Sequence, residues 1–345
     1  MTDRRWWHPD RHADRRPLLL ARGRIQTGLR LWLEDEGFTE VDPAALVASP
    51  GNEAHLHAFE TLLQDEAGQG EARYLHTSPE FAMKKLIAAG ERRIAAFAHV
   101  WRNREGGPRH AAEFTMLEWY RCDEDYTRLM ADAAQMARIA ARAAGSACLR
   151  HGEATCDPFA PFERLPVAEA FARFAGIDLA ATLAPDGTPD AGALRARMQE
   201  AGLRPGPGDT WSDMFSHVLV ARIEARLGHG RLTMLDRYPA AEAALARRCP
   251  DDPRFSERFE VYACGVELAN GFGELTDPVE QRARFEAEMD EKARVYGIRY
   301  PLDEDLLAAL PLMPPTAGIA LGFDRLVMLA TGAPRVDLVQ WAPAG

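Results

Sequence analysis

Lysine is almost missing from this 345-residue chain. Of its 41 basic residues only Lys84, Lys85 and Lys292 are lysines, so 38 are arginines. A whole-chain bias of this kind, in an alanine-rich sequence, looks mutational in origin, and an isolated arginine therefore carries little functional information. Positive charge is short overall as well, because 52 acidic residues give a formal net charge of −11. Non-specific nucleic-acid binding needs a basic footprint, and here the average has the wrong sign. The five cysteines (Cys122, Cys148, Cys156, Cys249, Cys264) form no C-x-x-C pair. An odd set without metal spacing points to reduced thiols packed as small hydrophobes. Long apolar runs are also lacking. The patch Leu18-Leu19-Leu20-Ala21 is closed by Arg22, too short for a signal-peptide core, and no later stretch reaches transmembrane length. The expectation is a cytoplasmic protein that does not contact a membrane.

What is present is an ordinary globular composition, 47% hydrophobic and 27% charged. Residues 22–36 place Ile25, Leu29, Trp32 and Leu33 on one helical face, Gly37 ends that helix, and 38–42 reads as a strand stopped by Pro43. Strands are expected near 57–63 and 73–76. Ser78-Pro79-Glu80 then opens a helix to residue 89, with Ser78 as N-cap. Two strands, 93–102 and 113–120, flank a loop, and 129–144 is an Ala-rich helix. The Pro- and Gly-punctuated stretches 146–166 and 176–208 read as linkers or surface excursions. A helix at 211–227, a strand at 231–235, a strand or hairpin at 258–275, a charged helix at 281–296 and a strand–turn–helix at 317–329 complete the pattern. With no regular βαβ repeat, the fold class is α+β around a largely antiparallel sheet.

Three segments carry chemistry. In 113–120, strand alternation turns Phe114, Met116, Glu118 and Tyr120 to one face, and the loop before it holds Arg104, Arg109 and His110 around Gly106-Gly107-Pro108. A cationic loop beside an aromatic- and carboxylate-lined sheet suits a nucleoside triphosphate; a solvated hairpin with a charged turn has the same pattern. In 265–277, Glu267, Asn270, Glu274 and Asp277 lie among small residues and could hold a divalent cation or an ammonium group, or form an edge hairpin. Strict alternation puts Glu267 and Asn270 on opposite faces, so either a bulge eased by Gly271 intervenes or the two have different tasks. In 318–329 an apolar strand runs through Gly322 into Asp324-Arg325 and an apolar helix, a phosphate-binding arrangement or simply a capped helix with a surface arginine.

Together and in this order, the segments resemble the motifs of class II aminoacyl-tRNA synthetases of the lysyl type. Phe38-Thr-Glu-Val-Asp-Pro43 looks like their dimerisation motif, 102–118 like the ATP-binding strand–loop–strand, and 318–329 like the motif whose arginine binds the terminal phosphate. Thr77-Ser-Pro-Glu80 and 267–277 resemble the lysyl-branch markers. Ser49-Pro-Gly-Asn-Glu53, Glu113-Phe-Thr-Met-Leu-Glu-Trp-Tyr120 and Ala320 are closer to the stand-alone elongation factor P–(R)-β-lysine ligase family, since lysyl synthetases have glycine at the Ala320 position.

The resemblance implies a single catalytic domain over 1–345, with 1–20 as an N-terminal extension, 146–210 as a surface insertion or linker region, and no anticodon-binding domain. It implies adenylation of (R)-β-lysine or lysine with ATP and Mg²⁺, then transfer to the ε-amine of a lysine on elongation factor P, in a homodimer that needs no tRNA. Arg102 and Arg325 would be catalytic. Asn103, Arg104, His110, Phe114, Glu267, Leu268 and Gly322 would join them around ATP, with Glu267 on the metal. Ser78, Pro79, Glu80, Tyr120, Asn270, Glu274 and Ala320 would hold the amino acid. The chain departs from the family in the ATP loop. Arg104 stands where the family has Glu, with Glu105 one place later, and Ala111-Ala112 replaces Asn-Pro. Glu105 or a backbone carbonyl would then have to replace the lost acceptor. The alternatives are an adenylating ligase of the same lineage with another carboxylate or acceptor, and a regulatory paralogue that binds ATP or lysine with weakened catalysis.

Overall fold

The computed structural model describes residues 5–344. Its strands in chain order are β1 (Thr39–Glu40), β2 (Leu46–Val47), β3 (Phe59–Gln64), β4 (Gly70–Leu75), β5 (Arg93–Trp101), β6 (Glu113–Cys122), β7 (Leu149–His151), β8 (Ala154–Asp157), β9 (Glu163–Pro166), β10 (Gly230–Arg231), β11 (Thr233–Pro239), β12 (Phe255–Ala263), β13 (Val266–Gly273) and β14 (Thr316–Gly322). Its helices are α1 (Pro9–Asp35), α2 (Glu80–Ala88), α3 (Thr127–Ala144), α4 (Val167–Ala175), α5 (Ala191–Glu200), α6 (Trp211–Val218), α7 (Pro278–Tyr296), α8 (Glu304–Ala309) and α9 (Phe323–Thr331). Eight strands form one sheet in the order β1-β5-β6-β14-β13-β12-β11-β9. The interior pairings are antiparallel, and the two outermost, β1 with β5 and β9 with β11, are parallel. The α+β reading with a mainly antiparallel sheet is borne out.

The two faces of the sheet do different work. Leu117 and Trp119 of β6 point to one side, into a core shared with Leu29 and Leu33 of α1, Ala133 and Ala137 of α3 and Leu326 of α9. Each large apolar side chain buried there contributes about 1.5–3 kcal/mol. The alternate residues Phe114, Met116, Glu118 and Tyr120 face the other way. There α2, α7 and α8 close only the lower end, packing Met83, Ile87, Phe285 and Leu307 around Tyr120. The upper part of that face stays open.

Two expectations are corrected. Residues 146–210 are not a linker. They form the β7–β8 hairpin, the edge strand β9 and helices α4 and α5, which with α6 bury a second core where Phe171 and Trp211 stack on Phe215 at 5.0 and 5.4 Å. Pro and Gly punctuate that stretch at element ends, as at Gly176 with φ +70°, rather than dissolving it. Residues 9–20 likewise are no separate extension. They are the first turns of α1, with Leu19 in the core and Arg15 buried against the carbonyls of Asp337 and Gln340. Met1–Arg4 of the expected extension lie outside the described residues. The helix expected over 211–227 is α-helical only to Val218; it widens to a π-helical turn over Leu219–Ile223 and tightens to a 3-10 turn over Glu224–Arg226. Among the described residues no helix is long and apolar enough to cross a membrane.

Candidate active site

The open sheet face carries three rows of side chains set by the strand register. Tyr120, Gly318 and Phe272 are cross-strand neighbours, as are Glu118, Ala320 and Asn270, and Met116 lies beside Gly322. Asn270 joins this face because β13 is bulged. Tyr262 pairs with Glu267 while Val261 pairs with Ala269, leaving Leu268 as the extra residue. The bulge turns Glu267 and Asn270 into one cavity, settling the two readings of that segment in favour of a bulge, at Leu268 rather than beside Gly271.

That cavity has a volume of about 160 Å³. Ser78, Glu80, Arg102, His110, Phe114, Glu267, Leu268, Asn270, Ala320, Gly322 and Arg325 all line it, so most of the residues singled out from the sequence come together. Its two ends differ in charge. At one end the Arg102 guanidinium lies 5.4 Å from the Phe114 ring centroid and donates to the Thr77 carbonyl at 3.3 Å. Arg325, in the first turn of α9, donates to the carbonyls of Glu267 and Arg109 at 3.1 and 3.3 Å and lies 3.6 Å from the Glu267 carboxylate. Burial, then Arg325, Arg109 and Arg102, push the His110 imidazole down to about 4, so it is neutral at physiological pH. Burial and the neighbouring Glu260 push Glu267 up to about 7 against the pull of Arg325 and Arg102.

The other end is acidic. Ser78 donates its hydroxyl to Glu118 Oε1 and accepts the Glu80 N–H at 3.0 Å. The expected cap is thus shifted by one place, since Pro79 is the N-cap of α2. Tyr120 donates to Glu118 Oε2 at 3.2 Å. Burial and then Glu80 raise the Glu118 carboxyl to about 8, and burial raises Glu274 to about 7. Glu274, only 2% exposed, keeps Oε1 without a hydrogen-bond partner. A Cβ at Gly318 would come within 2.3 Å of that oxygen and of the Tyr120 ring, so only glycine leaves room for both.

Five expected residues do not line the cavity itself. Tyr120 and Glu274 are buried beside Gly318, outside the cavity lining. Pro79 borders an adjoining cavity behind the Ser49–Glu53 loop. Asn103 spends its backbone N–H on the His57 carbonyl and its Oδ1 on the Arg104 N–H. Arg104, with φ +66°, turns away, its guanidinium 5.5 Å from the Tyr296 ring centroid. Glu105 takes its place in the cavity wall, 3.8 Å from Arg102.

The sequence reading missed Lys84, Asp324 and Glu53 as parts of the site. Lys84 follows Glu80 by four residues on α2 and ion-pairs with it at 2.6 Å and with Glu274 at 2.7 Å. Its helical spacing was the available signal. Strand alternation puts Glu118 on the correct face, but no motif in the sequence marks it as part of the site. Glu53 lines the cavity because Lys292 donates to the carbonyls of Glu53 and Ala54 at 3.2 and 2.8 Å and fixes that loop.

Comparison with known proteins agrees with this arrangement. The family model described as tRNA synthetases class II (D, K and N) matches residues 2–344. Relatives named elongation factor P–(R)-β-lysine ligase include one from Erwinia tasmaniensis, 36% identical over 345 residues and covering 98% of this chain and 97% of the relative. One from Edwardsiella ictaluri is 36% identical over 342 residues, and one from Vibrio vulnificus 34% over 341, each covering 98% of both chains. A cationic end at the motif arginines and an acidic end on the same sheet face, together with full-length similarity, establish that the chain belongs to the class II tRNA synthetase family and, within it, to the elongation factor P–(R)-β-lysine ligases.

Proposed function

We propose that this protein activates (R)-β-lysine, or lysine, with ATP and transfers the acyl group to the ε-amine of a lysine on elongation factor P. The observation that carries the reading is one cavity with a phosphate-ready cationic end at Arg102 and Arg325 and Glu80 in the wall of its other end, where a neighbouring buried oxygen of Glu274 is unpaired. ATP enters with adenine over Phe114, its phosphates along Arg102 and Arg325, and its base edge toward Leu268, Gly322 and Glu105. Neutral His110 adds a hydrogen-bonding group without further charge. Asn103 holds the loop in register, and Arg104 has to leave Tyr296 to reach the nucleotide. Ser78, Pro79 and Glu80 form the wall against the amino acid, whose ammonium groups meet Glu80, Glu274 and Tyr120, while Asn270 and Ala320 bound its chain.

A carboxylate oxygen of the amino acid bonds to the α-phosphorus as that phosphorus loses its bond to the bridging oxygen, and pyrophosphate leaves. The acceptor amine then bonds to the acyl carbon, the acyl–phosphate bond breaks, AMP leaves and the amine sheds a proton to water. No side chain becomes covalently attached. The work is charge neutralisation and alignment. Among the described residues no three His, Cys, Asp or Glu side chains converge to hold a metal alone. Mg²⁺ commonly takes one or two carboxylates and completes its shell with phosphate and water, so Glu267, with Glu260 behind it, fits the ion in the presence of ATP. Bound there, it would neutralise phosphate charge.

The same reading makes the chain a single catalytic domain acting in the cytoplasm without tRNA. It forms a homodimer through the stretch around Phe38–Pro43, whose strand β1 lies at the sheet edge. ATP–pyrophosphate exchange tests the first step. Exchange driven by (R)-β-lysine or lysine is expected. Folded protein that exchanges with no diamino acid contradicts the reading and leaves a regulatory ATP or lysine binder.

A further inference from the structure

In a chain with 38 arginines and three lysines, one lysine stands at the centre of the acidic end. The Lys84 side chain is 1% exposed, and its single nitrogen lies 2.6 Å from Glu80 Oε1 and 2.7 Å from Glu274 Oε2. An ammonium sends three N–H bonds outward from one atom and can bridge two carboxylates, whereas a guanidinium presents a flat fork matched to one. Burial alone would lower the pKa of this amine, but Glu274 and Glu80 more than reverse it, so the group stays charged.

Three carboxyl groups, Glu80, Glu118 and Glu274, meet at this end. Glu118 and Glu274 hold protons in the empty site and release them as ammonium groups arrive; with all three then ionised and Lys84 charged, two negative charges remain, equal and opposite to the two ammonium groups of a diamino acid. The unpaired Glu274 Oε1 beside Gly318 shows where Lys84 does not reach. We infer that Lys84 is a positioning residue that determines specificity: it fixes the separation of Glu80 and Glu274 and cancels one of three charges, so that the site is balanced by an acid carrying two ammonium groups. A substrate with one ammonium leaves a buried charge unpaired and is rejected for that reason. The inference rests on the reading above, in which these carboxylates receive the substrate amines.

The test is ATP–pyrophosphate exchange with (R)-β-lysine as the two-ammonium probe and 6-aminohexanoate as the one-ammonium probe. Lys84→Arg keeps the charge and so protects the fold, and Lys84→Met removes the charge at similar length. Lys84→Arg is expected to raise the KM for (R)-β-lysine at least tenfold while the KM for ATP stays within twofold. Lys84→Met is expected to raise it further and to narrow the preference over 6-aminohexanoate. A Lys84→Arg enzyme with the wild-type KM for (R)-β-lysine overturns the inference, and so does one whose KM for ATP rises in parallel. Wild-type protein that exchanges with neither probe sinks the underlying reading instead, which keeps the two failures apart.

Discussion

A single carboxylate, Asp324, ties four stretches of chain together behind the phosphate end. It is 2% exposed and accepts from the Arg22 guanidinium of α1, from the Thr115 N–H of β6 at 3.3 Å and from Gln340 Nε2 at 2.8 Å. Arg22 also donates to the Thr115 hydroxyl at 2.8 Å. Asp324 is the immediate neighbour of Arg325, and Thr115 of Phe114, so both proposed ATP contacts inherit their positions from this knot. Replacing Arg22 by Met leaves a buried charge without its cation. Denaturant titration is expected to show a loss of about 3–5 kcal/mol, the cost of breaking a buried pair from one side. The KM for ATP rises with it.

The raised carboxyl groups give a pH prediction at the same scale. Glu118 and Glu274 titrate near 8 and 7 in the folded chain, against an ordinary value of 4.5. Between about 4.5 and 8 the folded state therefore holds more protons than the unfolded one, and these groups make stability fall as pH rises through that window, levelling off above it. Binding runs the other way, because an ammonium group pairs with the ionised carboxylate. The KM for the diamino acid should fall as pH goes from 6 to 8, measured by exchange at saturating ATP; a flat profile contradicts the assignment. The scarcity of lysine also acquires meaning here. Lys84 bridges two glutamates, Lys85 pairs with Asp303 at 2.8 Å, and Lys292 holds the carbonyls of the Glu53 loop. An arginine bias obscures arginines; it made these three lysines conspicuous, but nothing in the sequence said that two of them are buried.

At the scale of elements, strand alternation is local and so could be read directly. The inward face of β6 followed from its own residues, and Phe114, Glu118 and Tyr120 stand where the period of two puts them. The bulge at Leu268 depends on how β13 pairs with β12, which no local pattern in 266–273 specifies. Residues 146–210 look like a linker in sequence for a related reason: their apolar residues are spread thinly between Pro and Gly, and they become a core only when α4, α5 and α6 meet. The N-terminal turns of α1 were hidden by Pro17 and a run of arginines, one of which is buried against the C-terminal segment. β14 provides the element-scale prediction. At Gly318 a methyl group would collide with Glu274 Oε1 and the Tyr120 ring, both held by the core beneath. Gly318→Ala should lower kcat/KM for the diamino acid by at least about 100-fold, roughly 2.7 kcal/mol of lost stabilisation, with a much smaller change in the KM for ATP. Equal losses on both substrates would mean that the sheet, not the amine end, had been disturbed.

For the whole molecule, the architecture separates the two kinds of charge that the reaction brings together. In the proposed reaction polyanionic ATP meets the arginines just past β5 and β14, and the cationic amino acid meets the glutamates of β6, of α2 and just past β13. One open sheet face presents both. A net charge of −11 suits an enzyme whose acceptor offers an amine rather than a polyanionic RNA. Intact-mass spectrometry tests the identity of that acceptor. Purified elongation factor P is incubated with this protein, ATP and (R)-β-lysine. The predicted result is one added β-lysyl group on a single lysine, dependent on ATP and lost with Arg325→Ala. Unmodified elongation factor P, in a reaction where pyrophosphate exchange proves that the adenylate forms, would contradict it.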